Sequence, residues 1–464
     1  MDFDFSLAPP QLTDIENLQA TVDELWLSCR RFTSEINELK EKLNINPQNS
    51  SLPPSTVPPF KRKQPTPAQK KWWQSKPGAV LGHKGYGRRL LPLDQVHEIV
   101  TCLPNTECSH CGATVKTLKS YSRKQLFDLP LGRLHVTEYQ LHRGRCIGCK
   151  KRSSALIPES VPKHLLGRYA LARIALITGK YHLSKRLTAQ LLVDLFGLKL
   201  SIGTISNAEA KVAQALARSI EEIEKEVKAS ERLHADETSF FLKNKLQWLW
   251  VASSEQATIF KIFAKRDTAS AKELIGEDYK GLVSTDRFGS YNWLKPEQHQ
   301  YCWAHIIRDF RKISERDNAK EAYLGCVLLN EAKTIIHSWN KLQENSDAPI
   351  SFLHRRCLKE LPDLLRMMLQ RGMALTGTKT ARFCRFFLNH WDCLWHFIHQ
   401  ANVDPTNNKA ERALRSAVIW RKLSYGVQSL RGILYVERML SVVETCRQKG
   451  VSTLMFIENA LVAG

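Results

Sequence analysis

Three acidic residues, far apart in the chain, sit where a charge is not needed for solubility. Asp236 lies inside the apolar run HADETSF, Asp286 closes GLVSTD where the chain turns into RFGSY, and Glu411 lies in NNKAERALR. An unpaired charge among strands is costly to bury, so such an acid needs a cation or a metal. Strand alternation puts His234, Asp236 and Thr238 on one side. A carboxylate at the carboxyl end of a buried strand faces a cleft, and Asn407, Glu411 and Arg415 share one helix face. Taken singly, an ordinary salt bridge or strand-end turn explains each acid. Together, in this order of elements, they fit a metal site. Cutting a phosphodiester and joining a 3′ hydroxyl to another phosphate loads charge onto two oxygens, which two ions roughly 3.5–4 Å apart stabilise. Three carboxylates suffice to hold Mg²⁺ or Mn²⁺, since Mg²⁺ retains several waters.

Other candidates surround this set. His305, in CWAH, follows the strand expected beside the site. It is placed either to contact a scissile phosphate or a metal-bound water, or to pair with Asp309 one turn later. Arg412 and Arg415 flank Glu411 and suit DNA phosphates, with a solvated helix face as the competing reading. Cys108, Cys111, Cys146 and Cys149 form CxxC, a 34-residue gap and CxxC. Paired knuckles supply four thiolates to a structural Zn²⁺ with no open position; a redox pair or unliganded thiols are the alternatives. Cys102, His110 and His142 are spare ligands, and LPLGRLHVTEYQLHRGR reads as a hairpin returning the chain between the knuckles.

The elements that must position these groups follow from periodicity. Ile15, Leu18, Val22, Leu25, Cys29, Phe32, Ile36, Leu39 and Leu43 make a heptad seam, giving a coiled-coil helix over 1–44 suited to self-association. Residues 45–75 are a Pro/Ser/basic linker, 76–158 the zinc-binding module, and 159–230 a helical, helix-turn-helix-like DNA-binding region. There Gly197 ends one helix, Ser201 or Thr204 caps the next, and the second helix is the one offered to a major groove. Residues 231–424 form the catalytic domain: three strands (ERLHADETSFFLK, LQWLWVASS, ATIFKIFAK), a helix (TASAKELIGEDYK), a strand (GLVSTD), a helix and a strand (HQYCWAH). That is the opening order of an RNase H-like mixed sheet. A helical insertion covers about 311–400, with Trp339, Leu361, Leu364, Leu365, Met368, Phe387 and Trp391 expected in its core. A helix starts at Asn407, and residues 425–464 are a C-terminal helical segment whose last helix ends at Gly450. The fold class is thus multidomain α+β.

Composition agrees with a nucleic-acid partner. Among 464 residues, Lys and Arg outnumber Asp and Glu by 68 to 46, a net +22, which draws polyanions. A membrane partner is excluded by the lack of any long apolar run. The acidic N-terminus is unlike a signal peptide, and scattered cysteines suit a reducing cytoplasm. The expected location is cytoplasmic, on the nucleoid when DNA is bound.

DET at 236–238, DRFGSY at 286–291, CWAHIIRDF at 302–310 and DPTNNKAERALR at 404–415 resemble, in order, signatures of the insertion-sequence-66 family of bacterial DDE transposases. NSSLPPS, the GHKG segment Gly82–Gly85 and the paired CxxC motifs extend the resemblance over nearly the whole chain. It implies a DDE triad of Asp236, Asp286 and Glu411, with a helical insertion in the 125-residue gap before the glutamate. It also implies element terminal inverted repeats and target DNA as partners, a homo-oligomer, and helper proteins of the same element. Two departures stand out: Thr406 precedes Asn407 with the acid displaced to Asp404, and DRFGSY replaces the commoner DGY. Two rivals share many of these features: a non-catalytic or inactive DNA-binding relative, and an RNase H-fold nuclease or resolvase that cuts without joining.

Overall fold

The computed structural model describes residues 166–344 and 351–463, and before them residues 25, 28, 32, 90, 92–96, 113, 134–138, 143–145 and 152–154. Of the heptad, Leu25 and Phe32 are described, both helical and exposed. The linker, the GHKG segment, the four knuckle cysteines and their spare ligands lie outside the described residues. The chain divides into two units. One, residues 59–136 with 195–197, shows a 3₁₀ turn at Leu93–Gln95. The other carries everything below. In it a short antiparallel ladder pairs Arg143–Arg145 with Arg152–Ser154. This ladder brackets the second CxxC and does not fold back the 129–145 stretch upon itself, as the sequence pattern suggested.

Four helices come first: α1 (Arg168–Ala175), α2 (Lys185–Phe196), α3 (Ile202–Ala215) and α4 (Ala217–Lys228). Gly197 ends α2 at φ +66°, a value that suits glycine. Ser201, not Thr204, caps α3 by accepting the Thr204 N–H at 3.1 Å. Lys185 and Glu209 tie α2 to α3 through a 2.9 Å ion pair. Ile205, Ala208 and Val212 bury one side of α3, leaving Asn207, Lys211 and Gln214 exposed.

The sheet comprises β1 (Arg232–Leu242), β2 (Lys245–Ser253), β3 (Thr258–Phe263), β4 (Leu282–Thr285) and β5 (His299–Tyr301), in the order β3-β2-β1-β4-β5. The first three strands are antiparallel; β4 and β5 run parallel to β1. Lys243 and Asn244, both at positive φ, make the two-residue β1–β2 turn whose twist matches a hairpin. Helix α5 (Thr268–Ile275), capped by Asp267, connects β3 to β4. The helix expected between the fourth and fifth strands is absent. Gly289 and Pro296 instead start single 3₁₀ turns, Gly289–Tyr291 and Pro296–Gln298. HQYCWAH is likewise divided, because the strand stops at Tyr301 and Trp303 begins a helix.

Beyond β5 come α6 (Trp303–Ser314), α7 (Ala319–Glu344), α8 (Ser351–Met373), α9 (Lys379–Asn389), a 3₁₀ turn (Trp391–Leu394) and α10 (His396–His399). Their shared core buries Leu365, Met368 and Phe387, with Trp339, Leu361, Leu364 and Trp391 packed against it. The two ends of this insertion meet: the Trp303 N–H donates to the Pro405 carbonyl at 2.8 Å, and the Asn407 N–H to Cys302 Sγ at 3.1 Å.

Helices α11 (Asn408–Ser424), α12 (Leu430–Lys449) and α13 (Thr453–Ala463) close the unit. Gly450 does end α12, but α13 follows it. Helix α12 covers edge strand β3 with a ladder of side chains. Thr445 Oγ1 accepts the Thr258 N–H at 3.0 Å, Ser441 Oγ that of Phe260 at 2.9 Å, and Glu437 Oε1 that of Ile262 at 2.6 Å. Four helical residues rise about 6 Å and two strand residues about 6.6 Å, so the repeats match closely enough for three successive bonds. Among the described residues, no helix is long and apolar enough to cross a membrane.

Candidate active site

Sheet register brings the first two acids together. β1 pairs with β4 as Arg232–Leu282, Leu233–Val283 and His234–Ser284, and the same offset sets Asp286, just past β4, level with Asp236. Their carboxylates, with that of Glu237, each offer an oxygen within 4.8 Å of the others. Asp236 Oδ1 accepts the Glu237 N–H at 2.9 Å, and Asp286 Oδ1 the Phe288 N–H at 2.8 Å. The second oxygen of each has no hydrogen-bond partner among the described residues. Burial pushes the Asp236 carboxyl well above its usual range, and the charges of Glu237 and Asp286 push it further.

Glu237 is the residue that the sequence reading left out. Its Oε1 takes Arg266 at 2.8 and 2.5 Å, and its Oε2 takes the Tyr291 hydroxyl at 2.6 Å. Both oxygens are engaged, so Glu237 is a poor ligand and Arg266 is its counter-charge. That guanidinium lies 3.6 Å over the Phe288 ring and 4.9 Å over Trp248. Arg287 pairs with Asp309 at 2.5 Å and lies over Phe383, Phe386 and Phe387 of α9. The residues by which DRFGSY departs from DGY therefore anchor the turn that carries Asp286. Their aromatic partners are distant in sequence, so only an Arg-Phe step next to a candidate acid hinted at this.

Glu411 arrives on the first turn of α11, and that helix is clamped to β1. Asn407 is buried; its Nδ2 donates to the Ala235 carbonyl at 2.7 Å, and its Oδ1 lies 3.2 Å from His234 Nδ1. Burial takes His234 down to about 4, so its neutral ring donates to Asn407. Glu411 itself joins a second group: His305 Nε2 lies 3.1 Å from its Oε1, and Arg308 3.4 Å from the same oxygen. The His305 hydrogen bond holds the Glu411 carboxyl below its usual range despite partial burial. Asp309, the alternative partner for His305, is occupied by Arg287. Glu411 thus stands outside the tight Asp236–Glu237–Asp286 cluster, yet its charge contributes to raising Asp236. Arg412 and Arg415 are exposed. Arg412 lines a cavity of about 450 Å³ beside the start of α11 that also contains Lys409 and Arg447.

Whether these residues suit divalent metal is decided by the charge they leave uncompensated. Asp236 and Asp286 present hard oxygen donors, one free oxygen each, in a place where their mutual repulsion is unrelieved. This donor type matches Mg²⁺ or Mn²⁺, with Glu411 at the margin of the same field.

The model of the Transposase IS66 family matches residues 163–434, well over half of the chain. The chain belongs to that family. The segment matched in this IS66-family chain holds Asp236, Asp286, His305, Glu411, Arg412 and Arg415, and starts beyond the CxxC motifs. A family of unknown function matches residues 7–89. Relatives include two uncharacterized proteins of Sinorhizobium fredii (strain NBRC 101917 / NGR234). Protein y4hP is 23% identical over 96% of this chain and 82% of its own length. Protein y4qI is 23% identical over 51% of this chain and 48% of its own length.

Proposed function

We propose that this IS66-family protein is the transposase of a bacterial insertion sequence, binding the terminal repeats of its element and carrying out metal-dependent strand cleavage and strand transfer. The observation that carries the reading is the pairing of Asp236 with Asp286 on adjacent parallel strands, within the electrostatic reach of Glu411. The β3-β2-β1-β4-β5 order, with helices on the sheet and a helical insertion before the third acid, supports an RNase H-like core.

Each residue then has a task. Asp236 and Asp286 hold divalent ions through their free oxygens, and Glu411 completes the carboxylate set from α11. Bound ions of this kind stabilise charge on the attacking and leaving oxygens of a phosphodiester exchange. Glu237 stays with Arg266 and Tyr291, fixing the strand next to Asp236. His305 and Arg308 orient Glu411 and keep it ionised. Arg412, exposed beside the α11 start, meets a DNA phosphate, and Arg415 tracks the same backbone one turn later. Outside the described residues, Cys108, Cys111, Cys146 and Cys149 hold a structural Zn²⁺, and the N-terminal heptad joins copies of the chain.

The test is a strand-transfer assay on DNA bearing the element's terminal repeats, with Mg²⁺ or Mn²⁺. Asp236→Asn, Asp286→Asn and Glu411→Gln should each abolish joining while DNA binding persists. Joining retained in any one of them removes that residue from the mechanism. Cleavage without joining by the parent chain would favour a nuclease or resolvase.

A further inference from the structure

A second cavity, of about 490 Å³, opens inside the helical insertion, between the end of α7, α8 and the Trp391–Leu394 turn. Trp391 and Trp395 form its aromatic wall, with ring centroids 5.0 Å apart. Trp395 is only 5% exposed and packs against Trp303 and Phe397, whereas Trp391 is half-exposed. One ring is therefore anchored while the other still presents surface.

Two polar features accompany the rings. The Trp395 indole N–H is buried and has no hydrogen-bond partner among the described residues. A buried donor without an acceptor costs free energy, and a ligand acceptor would recover it. Pro362 lies within α8 and also lines the cavity. A proline has no N–H, so the Leu358 carbonyl four residues back lacks its usual helical donor. Leu358 lines the same cavity. A donor, an acceptor and a ring surface are what the edge and face of a nucleobase require.

Charge selects the same ligand. Helix spacing places Arg355, Lys359 and Arg366 along one face of α8, with Asp363 the acid near them. Arg355 and Lys359 line the cavity, Lys359 has no ion-pair partner among the described residues, and Arg366 lies 5.4 Å over the Trp391 ring. A purely apolar occupant would leave this charge and both backbone-type groups unanswered.

We infer that this cavity accepts an unstacked base of a DNA strand, with neighbouring phosphates running along α8. The inference rests on the reading that the chain handles DNA, but not on the three carboxylates. The full-length protein is titrated into labelled oligo(dA) of about 12 nucleotides, within the site sizes of single-strand binders. An abasic strand of equal length is its partner. Both carry the same phosphates, so counterion release cancels and the ratio of Kd values reports the base. The parent should favour the base-bearing strand roughly tenfold or more, as for stacking on an aromatic ring. Trp391→Ala should erase that ratio, and Trp391→Phe should retain most of it. As a readout that needs no variant, 2-aminopurine in the strand should be quenched on binding. No preference in the parent, full preference in Trp391→Ala, or an unquenched probe would each overturn the inference. Asp236→Asn should keep the preference. A chain that favours the base yet never joins strands would sink the transposase reading and leave the pocket standing.

Discussion

Removing Arg266 should expose how the strand next to Asp236 is held together. The Glu237 side chain is fully buried, and Arg266 supplies its counter-charge through two hydrogen bonds, with a third of its own side chain exposed. In Arg266→Ala the carboxylate faces Asp236 and Asp286 with no cation, and breaking one side of a buried pair is strongly destabilising. Protonation caps that cost. A carboxyl with an ordinary value near 4.3 can take up a proton for at most about 3.7 kcal/mol at pH 7 and about 1 kcal/mol at pH 5. Burial and Asp286 already raise Glu237 in the parent, so the loss stays below these ceilings. The sign is set: a carboxyl raised further in the folded state destabilises as pH climbs above its unfolded value. Urea unfolding of parent and variant without divalent ions should therefore show a gap near 2–3 kcal/mol at pH 7 that shrinks below about 1 at pH 5. Added Mg²⁺ should narrow the gap at pH 7, and Glu237→Gln with Arg266→Ala should recover most of it. Equal losses at both pH values would refute the reasoning, because the Arg266 contribution would then be packing over Phe288 and Trp248.

Asp236→Asn should raise the melting temperature in EDTA at pH 7, by about 1 kcal/mol or more, since a raised carboxyl subtracts stability above its ordinary range. That advantage should vanish near pH 4, and Mg²⁺ should stabilise the parent but not the variant. His305→Ala removes the main group holding Glu411 low; strand transfer should fall about 10–100-fold, and the acid limb of its pH profile should move upward, with His305→Gln recovering part. An unmoved acid limb would mean that Glu411 ionises without His305. Thr445→Val leaves the Thr258 N–H unanswered under α12 and should cost about 1–3 kcal/mol, with faster hydrogen exchange at that amide. Unchanged exchange there would show that the ladder is incidental.

Strand-forming runs were legible because alternation and β-branched or aromatic content are local signals. HADETSF and GLVSTD gave both the strands and the acids at their ends, and NNKAERALR gave the helix of Glu411. What escaped was whatever depends on partners distant in sequence. Glu237 follows Asp236 in the chain and looked like an ordinary alternation residue; only Arg266 and Tyr291, brought in by α5 and the turn after β4, give it a role. His305 had Asp309 within one turn as a plausible mate, but Arg287 reaches Asp309 first, and α11 delivers Glu411 instead. The missing helix between β4 and β5 was misread because a parallel crossover usually carries one. Gly289 and Pro296 had already made that stretch a pair of turns.

The stitching of Cys302–Trp303 to Pro405–Asn407 bears on how such a protein can change over time. Roughly a hundred residues leave and re-enter the core at one spot, so their size is weakly constrained by the remainder. Doubling a closed loop adds only about 0.6 kcal/mol. A descendant could enlarge, trim or replace that excursion while α11 stayed bolted to β1 through Ala235. Substrate handling and bond chemistry are then inherited as separable parts, and chimeras cut at those two peptide groups are where that independence can be measured.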